Sequence, residues 1–99
     1  MKKEVYLTIL YDYYGELLSD KNKEYFENYY FLNLSLAEIA ENLNVSRNAI
    51  HKQLKLIEEK LFEYEDILKL YEKDCKLKEV ISEVEDKNIR KKLEELILN

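Results

Sequence analysis

Residues 35–54, SLAEIAENLNVSRNAIHKQL, constrain the fold of this chain more than any other stretch. Ser35 and Glu38 stand at the spacing of a capping box, in which the hydroxyl accepts from the amide three residues on and the carboxylate reaches back to the serine amide. A short helix therefore starts at Leu36 and turns Leu36, Ile39, Ala40 and Leu43 inward. Asn44, a residue that tolerates the left-handed backbone of a tight turn, stops it. Ser46 then caps a second helix. A small residue at the crossing (Ala40), a turn residue (Asn44) and an apolar plug (Ile50) follow one another at offsets of four and six, and Ile39, Leu43, Val45 and Leu54 close a minicore around them. This is the pattern of a helix-turn-helix over residues 35–57.

The remaining sequence predicts an all-α fold without a wing. Proline is absent, Gly15 is the one glycine, and Glu, Lys and Leu dominate, so nothing interrupts helix formation for long and strands are not expected. A chain of 99 residues supports one core, so a single domain spans 1–99. A first helix over about 4–18 repeats apolar side chains at Leu7, Leu10, Tyr14, Leu17 and Leu18. Ser19 and Asp20 cap a second, about 20–32, that buries Phe26, Tyr29 and Tyr30 with help from Tyr25. Gly15 is expected to let the first helix approach a neighbour closely.

From Ile50 the apolar positions run Leu54, Ile57, Leu61, Tyr64, Leu68, Tyr71, Cys75, alternating steps of four and three, with Leu56, Phe62, Ile67 and Leu70 widening the stripe. That 3.5-residue repeat predicts one unbroken helix over about 47–73, roughly 40 Å long, packed along a partner helix. Ile57, Leu61, Tyr64, Leu68 and Tyr71 are read as the seam of a homodimer. Leu77, Val80, Ile81 and Val84, then Ile89, Leu93, Leu96 and Ile97, form two short amphipathic pieces joined by EDKN with Asp86 as a cap. This tail, 76–98, is expected to be a helical hairpin folded back on the long helix.

Catalysis finds little to work with. One glycine cannot build a phosphate-cradling loop or a nucleophile elbow. His51 and Cys75 are the only imidazole and thiol, so neither a Cys-His pair nor a metal cluster is expected, nor any cofactor. A lone cysteine excludes an internal disulfide and is expected to be a small buried apolar residue. The opening EVYLTILYDYYGELL is broken by Glu4, Asp12 and Glu16, so no signal core or membrane span is expected and the protein is read as cytoplasmic.

On the helix starting at Arg47, the outward face presents Arg47, Asn48, His51, Lys52 and Lys55. Arg and Asn suit guanine and adenine edges and Lys suits phosphates, so with Ser46 these are the candidate contacts to a nucleic acid or another partner. The same residues also describe the solvated side of an amphipathic helix. Charge restrains the first reading. Residues 46–57 carry three cations and no acid, but residues 58–74 carry seven acids against three lysines, and the chain as a whole is at −5. Glu38 and Glu41 lie on the helix that would cross the phosphate backbone, so a monomer should bind weakly. Seven of nine tyrosines precede residue 31. Several fit the apolar spacing, while Tyr6 and Tyr13 fall off it and are candidates for stacking on unpaired RNA bases.

Three motifs together give a family resemblance: LYDYYGELLSDKNKEYFENYYF, LSLAEIAENLNVSRNAI and EEKLFEYEDILKLY. The chain resembles the YlxM family of small helix-turn-helix proteins over roughly residues 7–71, and the segment after about 74 lies outside the resemblance. The resemblance implies a reader segment similar to region 4 of bacterial sigma factors. It also implies a role in the signal recognition particle pathway, because the family's genes usually sit beside those of its GTPase or receptor. Ser46, Arg47, Asn48 and Ala49 match the family's Ser-Arg-Gln-Ala, with Asn48 in place of the glutamine. The partners expected are the particle's RNA or GTPase. Two readings stand beside this one: a dimeric regulator of transcription that reads duplex DNA, and a protein-binding helical adaptor using the acidic 58–74 surface.

Overall fold

A computed structural model describes all residues, 1–99, and they form six α-helices and no strands. The elements are α1 (Lys3–Tyr14), α2 (Asp20–Tyr30), α3 (Leu36–Leu43), α4 (Arg47–Leu68), α5 (Leu70–Ser82) and α6 (Lys87–Glu94), with a 3-10 turn at Gly15–Leu17. Helix starts follow the local chemistry. The Ser19 hydroxyl accepts from the Asn22 amide, that of Ser46 from the Ala49 amide, and Asp86 from the amides of Asn88 and Ile89. Each such cap satisfies amides that a helix leaves unpaired at its first turn.

The core is assembled around α4. Its Ile50, Leu54, Ile57 and Leu61 meet Leu7, Leu10 and Tyr14 of α1, Phe26 of α2 and Ile39 of α3, all buried. Each of these side chains stabilises the fold by about 1.5–3 kcal/mol of apolar burial. A polar clasp between Gln53 Nε2 and Asn22 Oδ1, 2.8 Å, adds a fixed register between α4 and α2.

The seam expected for a dimer is largely consumed by this core. Ile57 and Leu61 have no exposed surface in the single chain, Tyr64 is half-buried beside Tyr14, Tyr71 packs on Tyr6 and Tyr13, and Leu68 alone lies exposed. A 3.5-residue repeat requires a partner helix, and here the partners are α1 and α2 of the same chain. The widening residues Leu56 and Ile67 are exposed as well.

The long helix is also shorter than the stripe suggested. It ends at Leu68, about 33 Å from its start, and Lys69 takes a left-handed conformation at φ 56°, ψ 33°. The cause is Glu65. Its buried carboxylate accepts the Tyr14 hydroxyl at 2.6 Å and the amides of Tyr71 and Glu72 at 3.1 Å each, while the Tyr14 oxygen accepts the Leu70 amide at 3.0 Å. The first three amides of α5 thus find partners from α4 and α1, which offsets the 1–2 kcal/mol or so of a left-handed non-glycine residue.

Four smaller expectations change. Tyr29 lies at the surface and Leu17 is exposed. Cys75 is half-buried. Gly15 makes room for a ring of its own helix, since a Cβ there would stand 3.1 Å from Tyr11, whose ring stacks on Phe26 at 4.4 Å. No helix is long and apolar enough to cross a membrane.

Tyr14→Phe removes the hydroxyl shared by Glu65 and Leu70 and should lower stability by about 1.5–3 kcal/mol, read as an earlier urea midpoint. An unchanged midpoint would contradict the capping role. Burial, then the bond to Glu65, pushes the Tyr14 hydroxyl up to about 12, and burial with the charge of Glu27 does the same to Tyr11. Burial also raises Tyr13 and Tyr30, assisted by their hydrogen bonds to Asp74 and Glu58. Raised folded values mean stabilisation that is whole below the unfolded tyrosine value near 10 and disappears as pH rises through 12. Helical circular dichroism should therefore collapse in step with phenolate absorbance above about pH 10. Phenolate forming fully in a chain that keeps its helices would refute it.

Candidate nucleic-acid interface

The turn between α3 and α4 sets how the candidate surface is presented. Ser35 Oγ accepts the Glu38 amide and Glu38 Oε1 accepts the Ser35 amide, both at 3.1 Å, completing the capping box. Those bonds hold the Glu38 carboxyl below its ordinary value. Asn44 sits at φ 56°, ψ 46°, and the Val45 amide returns to the Ala40 carbonyl at 3.0 Å. This is the six-to-one bond of a helix end closed by a left-handed residue. Ile39, Ala40, Ile50 and Leu54 are buried, and Leu43 and Val45 half-buried against them.

With Ile50 and Leu54 locked inward, Arg47, Asn48, His51, Lys52 and Lys55 all point to solvent. None of the cations among them takes part in an ion pair; the four ion pairs of the chain involve Lys3, Lys23, Lys69 and Lys76. The N-terminus of α4 contributes the positive end of its dipole to the same spot. Leu36, Ser46, Arg47, Asn48 and His51 line a shallow cleft where α3 and α4 begin.

A neighbouring groove shows what the sequence did not. There Lys3 and Tyr29 come beside His51 and Lys55, with Glu4 and Glu58 on the same walls. Lys3 pairs with Glu58 at 3.3 Å, and Glu58 also accepts the Tyr30 hydroxyl at 2.7 Å. No local signal places Lys3 next to Lys55, because only the packing of α1 on α4 brings them together. The groove marks where the basic face stops.

Tyr6 and Tyr13 lie away from this face. Tyr6 packs between Phe62 and Tyr71 at centroid distances of 6.0 and 5.8 Å, and the Tyr13 hydroxyl donates to Asp74 at 2.6 Å. Both are half-buried and engaged with α5. Around Tyr6 the acidic half of the molecule forms its own cleft, with Phe62, Tyr71, Glu63, Asp66 and Glu72 in its walls.

The family described as "Putative helix-turn-helix protein, YlxM / p13 like" matches residues 1–99. The chain belongs to this family, UPF0122. Its curated relatives carry the same family name. A UPF0122 protein of Caldanaerobacter subterraneus subsp. tengcongensis is 40% identical over 82 residues, 83% of this chain and 70% of the relative. One from Ureaplasma urealyticum serovar 10 is 40% identical over 94 residues, 95% of either chain. One from Bacillus thuringiensis is 41% identical over 95 residues, 89% of this chain and 86% of the relative. The family match runs to the last residue, so the tail after residue 74 is part of the UPF0122 pattern and not an addition to it.

For this UPF0122 protein the orientation of the basic face depends on Asn44. Asn44→Gly should leave stability within about 0.5 kcal/mol or improve it, whereas Asn44→Val should cost about 1–2 kcal/mol, because a β-branched residue resists positive φ. Equal thermal stability for the two variants would mean the turn is not held in the left-handed region.

Proposed function

We propose that this protein is a non-catalytic regulatory factor of the bacterial signal recognition particle, and that it touches the particle's RNA through the N-terminal half of α4. The observation that carries RNA contact is the state of that surface: three cations, an amide and an imidazole, all exposed, with no acid among residues 46–57 and no ion pair holding the cations. The direction toward the particle comes from the family, whose genes usually neighbour those of its GTPase or receptor. In this reading Arg47, Lys52 and Lys55 meet phosphates, and Asn48 and His51 supply hydrogen bonds at their edge, with Ser46 fixing the helix start. Glu4 and Glu58 line the groove beside the patch, and Glu38 and Glu41 lie on α3, so few phosphates are neutralised and affinity should be modest at physiological salt.

A second reading is a dimeric regulator that reads duplex DNA. It is favoured by the placement of Arg47 and Asn48 in the first turn of α4, where a recognition helix meets base edges. A third reading is a protein-binding helical adaptor that uses the acidic 58–74 surface, with the particle's GTPase as its client.

Fluorescence anisotropy with the particle's RNA, an unrelated RNA hairpin and duplex DNA separates these readings. The particle's RNA should bind tightest, and Arg47→Ala with Lys52→Ala should weaken it and flatten the log-log salt slope by about 0.7–0.9 per lost phosphate contact. Unchanged affinity in the double variant would remove the assignment. Preference for the duplex would favour the DNA reading, and capture by the GTPase without RNA would favour the third.

A further inference from the structure

The α5–α6 hairpin is clamped at both ends and thinly packed between. At its base the buried Asp74 carboxylate accepts the Tyr13 hydroxyl at 2.6 Å and the amides of Leu98 and Asn99 at 3.4 and 3.2 Å. At its tip Arg90 Nε donates to the Val84 carbonyl at 2.9 Å. Between the clamps Ile81 is the one buried apolar side chain. Leu77, Val84, Leu93 and Ile97 are half-buried, and Val80, Ile89, Leu96 and Leu98 are 59%, 51%, 67% and 66% exposed. Two helices cannot enclose a core by themselves; apolar residues flanking their line of contact stay wet until further helices cover them. Ile89, Leu93 and Leu96 follow one another at four and three residues, a stripe that runs from α6 into the turn after it, with Ile89 and Leu96 exposed on either side of the half-buried Leu93.

The charges beside that stripe identify its cover. Along α6 the bases Lys87, Arg90, Lys91 and Lys92 come first and the acid Glu94 last, with Glu95 at the C-cap. A helix ordered in this way complements an antiparallel copy of itself. About a two-fold axis between Lys92 and Leu93, Ile89 falls opposite the partner's Leu96 and Lys91 opposite the partner's Glu94, and each contact occurs twice. Overall charge permits the approach. Residues 70–99 hold eight acids and seven bases, whereas residues 1–69 hold thirteen acids and nine bases.

We propose that the α5–α6 hairpin is a homodimerisation element: hairpins of two copies pack antiparallel into a four-helix bundle, with Ile89, Leu93, Leu96 and Val80 in its seam. The surface is distinct from the α4 stripe, which the chain buries within itself, and it leaves the basic face of α4 outside the interface.

Sedimentation equilibrium on the full chain tests this, with circular dichroism as the check on folding. The unmodified protein should dimerise reversibly. Ile89→Lys with Leu96→Lys, which alters side chains already exposed in the single chain, should keep its helicity and raise the dissociation constant by ~100-fold or more. Lys91→Glu should weaken the dimer by ~10-fold, and adding Glu94→Lys should restore it, because only a second copy of the same helix presents the reversed pair. This charge cycle touches exposed groups alone and decides the matter if the lysine pair unfolds. A monomer at every concentration, a dimer that survives the lysine pair with helicity intact, or a charge cycle without rescue would each overturn the proposal.

Discussion

The buried carboxylate of Glu65 organises this molecule. A charge taken out of water is costly unless its lone pairs are filled, and Glu65 fills them with the Tyr14 hydroxyl and two amides of α5. One side chain therefore ties the C-terminal end of α1 to the end of α4 and the start of α5. The carboxylate also sits at the positive end of the α5 dipole, where a negative charge is favoured. Deprived of that arrangement, the sequence from Arg47 to Lys73 has the apolar spacing to run on as one rod. With it, the chain turns at Lys69 and divides the molecule into a helix-turn-helix end and a hairpin end.

That division separates two chemistries along a single helix. The first three turns of α4 carry cations outward and the later turns carry acids, while one continuous apolar face, Ile50, Leu54, Ile57 and Leu61, is buried beneath both. The basic surface is thus held by the same side chains that hold the core. It needs no loop to position it, and its orientation is as rigid as the packing of α1, α2 and α3 on α4. Rigidity suits recognition by shape, in which a few phosphate contacts at fixed spacing select a folded RNA without reading many bases.

Features that depend on neighbours in sequence were legible, and features that depend on partners far along the chain were not. Ser19, Ser35 with Glu38, Asn44, Ser46 and Asp86 each act within three or four residues, and each does in the fold what its position predicts. The stop at Lys69 has no such signal, because Glu65 can cap α5 only when Tyr14, 51 residues earlier, lies beside it. Periodicity showed that the stripe from Ile50 is covered but not by what: an intramolecular helix and a second copy demand the same spacing. Tyr29 and Tyr30 have neighbouring positions and different fates for a related reason, since only Tyr30 finds an acceptor on α4. At the candidate site, Arg47, Asn48, His51, Lys52 and Lys55 were readable from helical geometry alone, and the flanking groove with Lys3 was not.

Amide chemical-shift mapping decides whether the N-terminal face of α4 is, as we propose, the surface that meets nucleic acid. Titrating the particle's RNA into isotopically labelled protein should perturb amides from Ser46 to Lys55 first, with smaller changes at the start of α3 and little along α5 and α6. Perturbations centred on the acidic cleft around Tyr6, Phe62 and Tyr71, or none at all, would rule out the α4 face as the contact surface.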